Sequence, residues 1–114
     1  MYKDYSFVFD IDGTICPIKK KDERYEDLVP YPEILEKLRF YKENGARIIL
    51  YTSRNMNTYQ GNLGLINKYT AAVLTEWLKK WDVPYDEIVY GKVWPGHKGF
   101  YVDDRTIRPN EFLQ

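Results

Sequence analysis

Residues 47–53 read RIILYTS. Four large apolar residues in succession, Ile48 to Tyr51, ahead of a Thr-Ser pair predict a β-strand covered on both faces, as strands of parallel sheets are. The neighbouring segments fit that frame. SFVFD at 6–10 reads as a buried strand ended by Asp, Gly and Thr, and EIVY at 87–90 and GFYV at 99–102 are two further short apolar runs. Pro32 stands at a first helical position, with Ile34, Leu38 and Tyr41 spaced along one face beside Leu35 and Phe40, so a helix ending near Gly45 is expected. Ile66, Tyr69, Val73, Trp77 and Trp81, widened by Leu74 and Leu78, trace a second helical stripe that Pro84 closes. The order strand, helix, strand, helix, strand, strand predicts an α/β fold with a mainly parallel sheet and right-handed crossovers.

Between these elements lie two polar stretches. Residues 15–31 carry KKKDER and two prolines without a helical stripe, and are expected to form an excursion such as a hairpin flap. NMNTYQGNLG at 55–64 reads as a loop. A chain of 114 residues supports one domain with one modest core. Charged residues are 30% of it but cancel to zero, which argues against nucleic acid or an anionic membrane as partner. No apolar stretch approaches a membrane span, and the opening MYKDY lacks the hydrophobic core of a signal peptide, so a cytoplasmic location is expected. Cys16 is the only cysteine, which excludes an internal disulfide and any multi-cysteine zinc site.

The chemistry-bearing residues fall at strand ends. Asp10 and Asp12 follow the first strand, Thr52 and Ser53 the second, Lys92 the third, and Asp103 and Asp104 the fourth. In open parallel sheets ligands bind beyond the carboxyl ends of the strands, so these groups are expected at one edge. Each alone has a plain reading: DG is a common turn, TS a helix start, DD a solvated loop. Together, like charges need compensation, and oxygen ligands without His or Cys favour Mg²⁺ shared with a phosphate.

DIDGT at Asp10 to Thr14, Thr52 in IILYTSR, Lys92 in VYGKVW and YVDD at Tyr101 to Asp104 resemble, in order and spacing, the motifs of the haloacid dehalogenase superfamily. The resemblance covers almost the whole chain. It implies a Rossmann-like three-layer sandwich and an aspartyl-phosphate mechanism. Asp10 would be nucleophile, Asp12 general acid and base, Thr52 and Lys92 the groups on the phosphoryl oxygens, and Asp10, Asp12, Asp103 and Asp104 the Mg²⁺ ligands. Gly13, Thr14, Ser53, Arg54, Lys98 and Arg105 are candidates for phosphate or substrate binding. Lys98 is a rival to Lys92, and Arg54 or Arg105 could instead form an ion pair that fixes the acidic loop. RNMNTYQGNLGLINKYT and PYDEIVYGKVWPGHKGFYVDDRTIRPNEF further resemble small phosphatases of capsular polysaccharide biosynthesis, which implies a sugar-related phosphate as substrate. A polynucleotide 3'-phosphatase shares DIDGT and VDDRT, and a non-catalytic phospho-ligand-binding protein is the third reading. No cap domain fits between the motifs, so either the site admits a bulky substrate or a neighbouring subunit or the 15–31 flap excludes water, and residues 15–31 and the GNLG loop are expected to border the entrance.

Overall fold

The computed structural model describes residues 1–114. Three strands form a parallel sheet in the order β1 (Ser6–Phe9), β2 (Arg47–Thr52), β3 (Glu87–Tyr90). β1 and β2 pair from Ser6↔Arg47 to Phe9↔Leu50, and β2 and β3 from Ile49↔Glu87 to Thr52↔Tyr90. This register puts Phe7, Phe9, Ile48, Leu50, Thr52, Ile88 and Tyr90 on one face, since side chains alternate along a strand.

Helix α1 (Pro32–Glu43) begins with proline at its first position and ends at Asn44, after which Gly45 turns away with φ 95°. It buries Ile34, Leu35 and Leu38. Helix α2 runs through three consecutive stretches, Leu63–Leu65, a π-helical Ile66–Thr70, and Ala71–Lys80. Asn62 caps it by accepting the Leu65 N–H at 3.1 Å, so the GNLG stretch expected as loop supplies the cap and first turn instead. The π-helical turn holds an extra residue per turn and rotates the stripe by one position. Thr70 is therefore buried where Tyr69 was expected, and Tyr69 stacks outside on Tyr59 at 6.0 Å. A short helix α3 (Pro109–Phe112) lays Phe112 on Phe7, Phe9 and Tyr41.

The core is built from Phe9, Ile48 and Leu50 of the sheet, Ile34, Leu35 and Leu38 of α1, and Leu74, Trp77 and Leu78 of α2, with Ile11, Ile15, Cys16 and Leu28 closing one end. All lie on or beside the Phe7 face. On the other face Val8 is 61% and Val89 40% exposed, and neither they nor Ile49 and Tyr51 pack into that core. The run IILY thus alternates between buried and half-buried rather than being covered on both sides. GFYV, expected as a fourth strand, forms none: Phe100 is 78% and Val102 88% exposed. No helix is long and apolar enough to cross a membrane.

Residues 15–31 make no hairpin. They form a loop closed at its base by the Tyr31 N–H, which donates to Ile15 O at 2.8 Å, and hold one 3₁₀ turn, Tyr25–Asp27. The loop is pinned to α2 where Trp77 Nε1 donates to Leu28 O at 2.7 Å.

Asp86 ties the sheet to α1. Its Oδ2 accepts the Ile48 N–H at 2.8 Å, its own N–H donates to Ile48 O at 2.7 Å, and its Oδ1 pairs with Lys42. The hydrogen bond from Lys42 and then that from Ile48 hold the Asp86 carboxyl below the ordinary value of 3.8. A depressed carboxyl stabilises the folded state above the unfolded pKa, and that contribution is lost as pH falls through the folded one. Asp86→Asn is expected to cost about 1 kcal/mol at neutral pH. In urea unfolding as a function of pH, the gap to wild type should close below about pH 4.

Candidate active site

Because all three strands are parallel, Asp10, Thr52 and Lys92 leave the sheet at the same edge. Beyond Phe9 the chain makes a tight turn: the Ile15 and Cys16 N–H groups donate to Ile11 O at 2.9 and 3.2 Å, and the Gly13 N–H to Cys16 O at 2.7 Å. Gly13 adopts φ 91°, the left-handed region in which a side chain is strained, and a Cβ there would press on Ile18 at 3.3 Å. The turn presents both carboxylates outward from buried Ile11 and Ile15.

Each carboxylate has its own cation. Asp10 Oδ1 lies 3.7 Å from Lys92 Nζ, and its Oδ2 accepts the Thr14 hydroxyl at 3.1 Å. Burial pushes the Asp10 carboxyl above its ordinary value, while Lys92 and Thr14 pull it partly back. Asp12 is gripped by Arg54 through two bonds, Nε to Oδ2 at 3.0 Å and Nη2 to Oδ1 at 2.8 Å. Arg54 is only 4% exposed. Burial opposes its charge, but the hydrogen bonds and charge of Asp12 outweigh that and raise its pKa. Nη1 has no hydrogen-bond partner, and the Tyr25 ring lies against the guanidinium with its centroid 4.2 Å from Cζ. Cys16 sits beneath the pair, and burial followed by the Asp12 charge pushes its thiol up to about 12, so it is inert core.

Thr52 is buried, and its Oγ1 accepts the Arg54 N–H at 2.9 Å while its carbonyl accepts the Lys92 N–H at 3.1 Å. One threonine therefore fixes the backbone at both cation-bearing residues. Ser53 lies beside the Tyr101 hydroxyl, and the Tyr101 ring covers Lys92 at 4.5 Å.

The expected constellation is only partly gathered. Asp10, Asp12, Thr14, Thr52 and Lys92 come together, whereas Asp103, Asp104, Lys98 and Arg105 are exposed. The Arg105 N–H donates to Asp103 Oδ1 at 3.1 Å. Tyr101 of GFYV reaches Lys92, but in the absence of a fourth strand Asp103 and Asp104 join no acidic cluster with Asp10 and Asp12. Of the two rival lysines, Lys92 has its ammonium on Asp10. Arg54, a candidate for substrate, instead forms the ion pair that fixes the acidic loop. Tyr25 went unnoticed in the sequence, because a lone aromatic after a run of charges carries no periodic signal.

Mg²⁺ is the cofactor the resemblance implies. Nowhere do three His, Cys, Asp or Glu side chains gather closely enough to hold a metal ion. Asp10 and Asp12 alone, engaged by Lys92 and Arg54, do not make the oxygen set such an ion takes, so no step below passes through one.

The molecule is thus an α/β domain whose three-stranded parallel sheet sets two carboxylates and two cations at its carboxyl edge. A crystal structure of a structural-genomics target from Vibrio cholerae is similar to it, with 47% sequence identity and a TM-score of 0.89. The match covers 96% of this chain and 87% of that one, and the chain belongs to the same family as the Vibrio cholerae protein. No family model matches the chain, and no curated protein does.

Arg54→Ala strands Asp12 beside a buried hole and is expected to lower stability by about 2 kcal/mol. Tyr25→Ala should cost about 1 kcal/mol and Tyr25→Phe much less, because the ring face rather than the hydroxyl meets Arg54. Equilibrium urea unfolding of the three variants checks both.

Proposed function

We propose that the chain is a phosphatase of the haloacid dehalogenase type that hydrolyses a phosphate monoester through an aspartyl-phosphate on Asp10. The observation that carries this reading is the pairing of Asp10 with Lys92. A carboxylate at a strand tip, backed by Thr14 and faced by an ammonium, is a nucleophile with a phosphate-binding cation already beside it. A phosphoryl group entering between them would place one oxygen on Lys92 and its phosphorus before Asp10.

Asp12 supplies the proton transfers. Arg54 engages one lone pair on each of its oxygens, and a carboxylate has about four such sites, so Asp12 keeps a free side for acid and base work. In the first step Asp12 enters as the acid, carrying a proton from solvent on a lone pair that Arg54 leaves free; Asp10 forms the O–P bond as the ester O–P bond breaks, and the departing alkoxide takes that proton. In the second, Asp12 removes a proton from water, which attacks phosphorus and frees Asp10. Thr52 already accepts the Arg54 N–H, leaving its hydroxyl hydrogen to donate. Lys92 offsets the charge on the transferring group, where a fixed cation counts most.

The finer architecture belongs to the same reading: a reduced, capless member of the superfamily's sandwich. The substrate class is a small, sugar-related phosphate, as the narrower resemblance to capsular polysaccharide phosphatases suggests, and the reaction is cytoplasmic. The neutral net charge supports this over a polynucleotide substrate.

With p-nitrophenyl phosphate, Asp10→Asn is expected to lower kcat at least about 1,000-fold with an unchanged circular dichroism spectrum. Rapid acid quenching with labelled substrate should leave a hydroxylamine-sensitive label on the wild type and none on Asp10→Asn. Turnover by Asp10→Asn at the wild-type rate removes the proposed nucleophile.

A further inference from the structure

We infer that two copies of this chain exchange residues 99–102, each laying that segment as a fourth, parallel strand along the free edge of the other's β1. Three observations carry it. The first is that edge itself: β1 pairs only with β2, so its outer side offers unpaired backbone groups to an incoming strand. Beside it Val8 is exposed, and the aromatic cluster of Phe7, Phe9, Tyr41 and Phe112 lies against the same strand.

The second observation is the segment. Gly99-Phe100-Tyr101-Val102 is rich in β-forming residues, yet it pairs with no strand and leaves Phe100 and Val102 largely in water. In a parallel strand with Asp103 beside Asp10, Phe100 and Val102 would point to the Phe7 and Phe9 face and Tyr101 to the Val8 face. Both exposed apolar groups would then be covered.

The third decides between the chain's own β1 and a partner's. Only the short stretch from Gly91 to Lys98 separates β3 from the segment. A parallel crossover between adjacent strands takes about a dozen or more residues, and this one would have to pass β2 and β1 as well. Gly91 and Gly96, at φ 85° and 80°, further fold the connection. A second copy meets no such limit, and reciprocal exchange closes a two-fold dimer.

Resting on the phosphatase reading, the exchange has a chemical consequence. The partner's Asp103 and the partner's Asp104 would arrive beside Asp10, so each active site would be completed from two chains.

The test uses the full-length chain. Val8→Cys and Tyr101→Cys are made separately and together; buried Cys16 stays out of the reaction. Oxidising a mixture of the two single variants should yield a disulfide-linked pair that joins position 8 of one chain to position 101 of the other. Light scattering of the unmodified protein should report a dimer or a multiple of it, and Val102→Pro should reduce it to monomer. A monomeric wild type, a disulfide confined within the double variant's own chain, or no disulfide at all overturns the proposal. Activity separates the two ideas. A mixture of Asp10→Asn with an Asp103→Asn, Asp104→Asn chain should regain about a quarter of wild-type turnover, since random pairing completes one site in four. An intermolecular disulfide without turnover in any form leaves the exchange standing and sinks the phosphatase reading.

Discussion

Two carboxylates two residues apart at a strand tip repel each other, and the site depends on each being given a separate cation. Arg54 holds Asp12 from within the protein and Lys92 meets Asp10 from the open side. The inner pair is worth more, because its guanidinium is buried and the fork geometry matches a carboxylate in two bonds. Its cost is a buried guanidinium, and the fold offsets that with the Tyr25 ring against it, while the Thr52 hydroxyl fixes the Arg54 backbone by accepting its N–H. With Asp12 anchored, Asp10 is left half-open toward solvent and toward Lys92, so the two carboxylates differ in what they can meet.

This arrangement explains the 15–31 loop. It looks like a solvated excursion, but Leu28 and Ile15 are buried and its far arm is fastened to Trp77. The fastening holds the turn that lays Tyr25 on Arg54. The loop therefore acts through packing on the ion pair, and α2, remote from the chemistry, helps set where Asp12 points.

The legible parts of the fold were those with local periodicity. The three strands, α1 and the stripe of α2 follow from spacing alone, as does the convergence of Asp10, Thr52 and Lys92. Tyr69 departed because a π-helical turn shifts the pattern by one residue, and such a turn has no marker in composition. GFYV departed because β-propensity says a segment can pair but not that a neighbour is within reach. Arg54 was legible as a residue beside the site; which anion it meets was not, since substrate and Asp12 offer a guanidinium the same chemistry.

By itself the sequence determined which residues lead out of parallel strands, and so which side chains share an edge, because strand direction and alternation are local properties. Tertiary structure decided how the charges there are paired, which face of the sheet stays open and whether the last acidic pair joins the site. Those depend on distances between segments far apart in the chain, and the folded structure leaves Asp103 and Asp104 exposed and outside any acidic cluster.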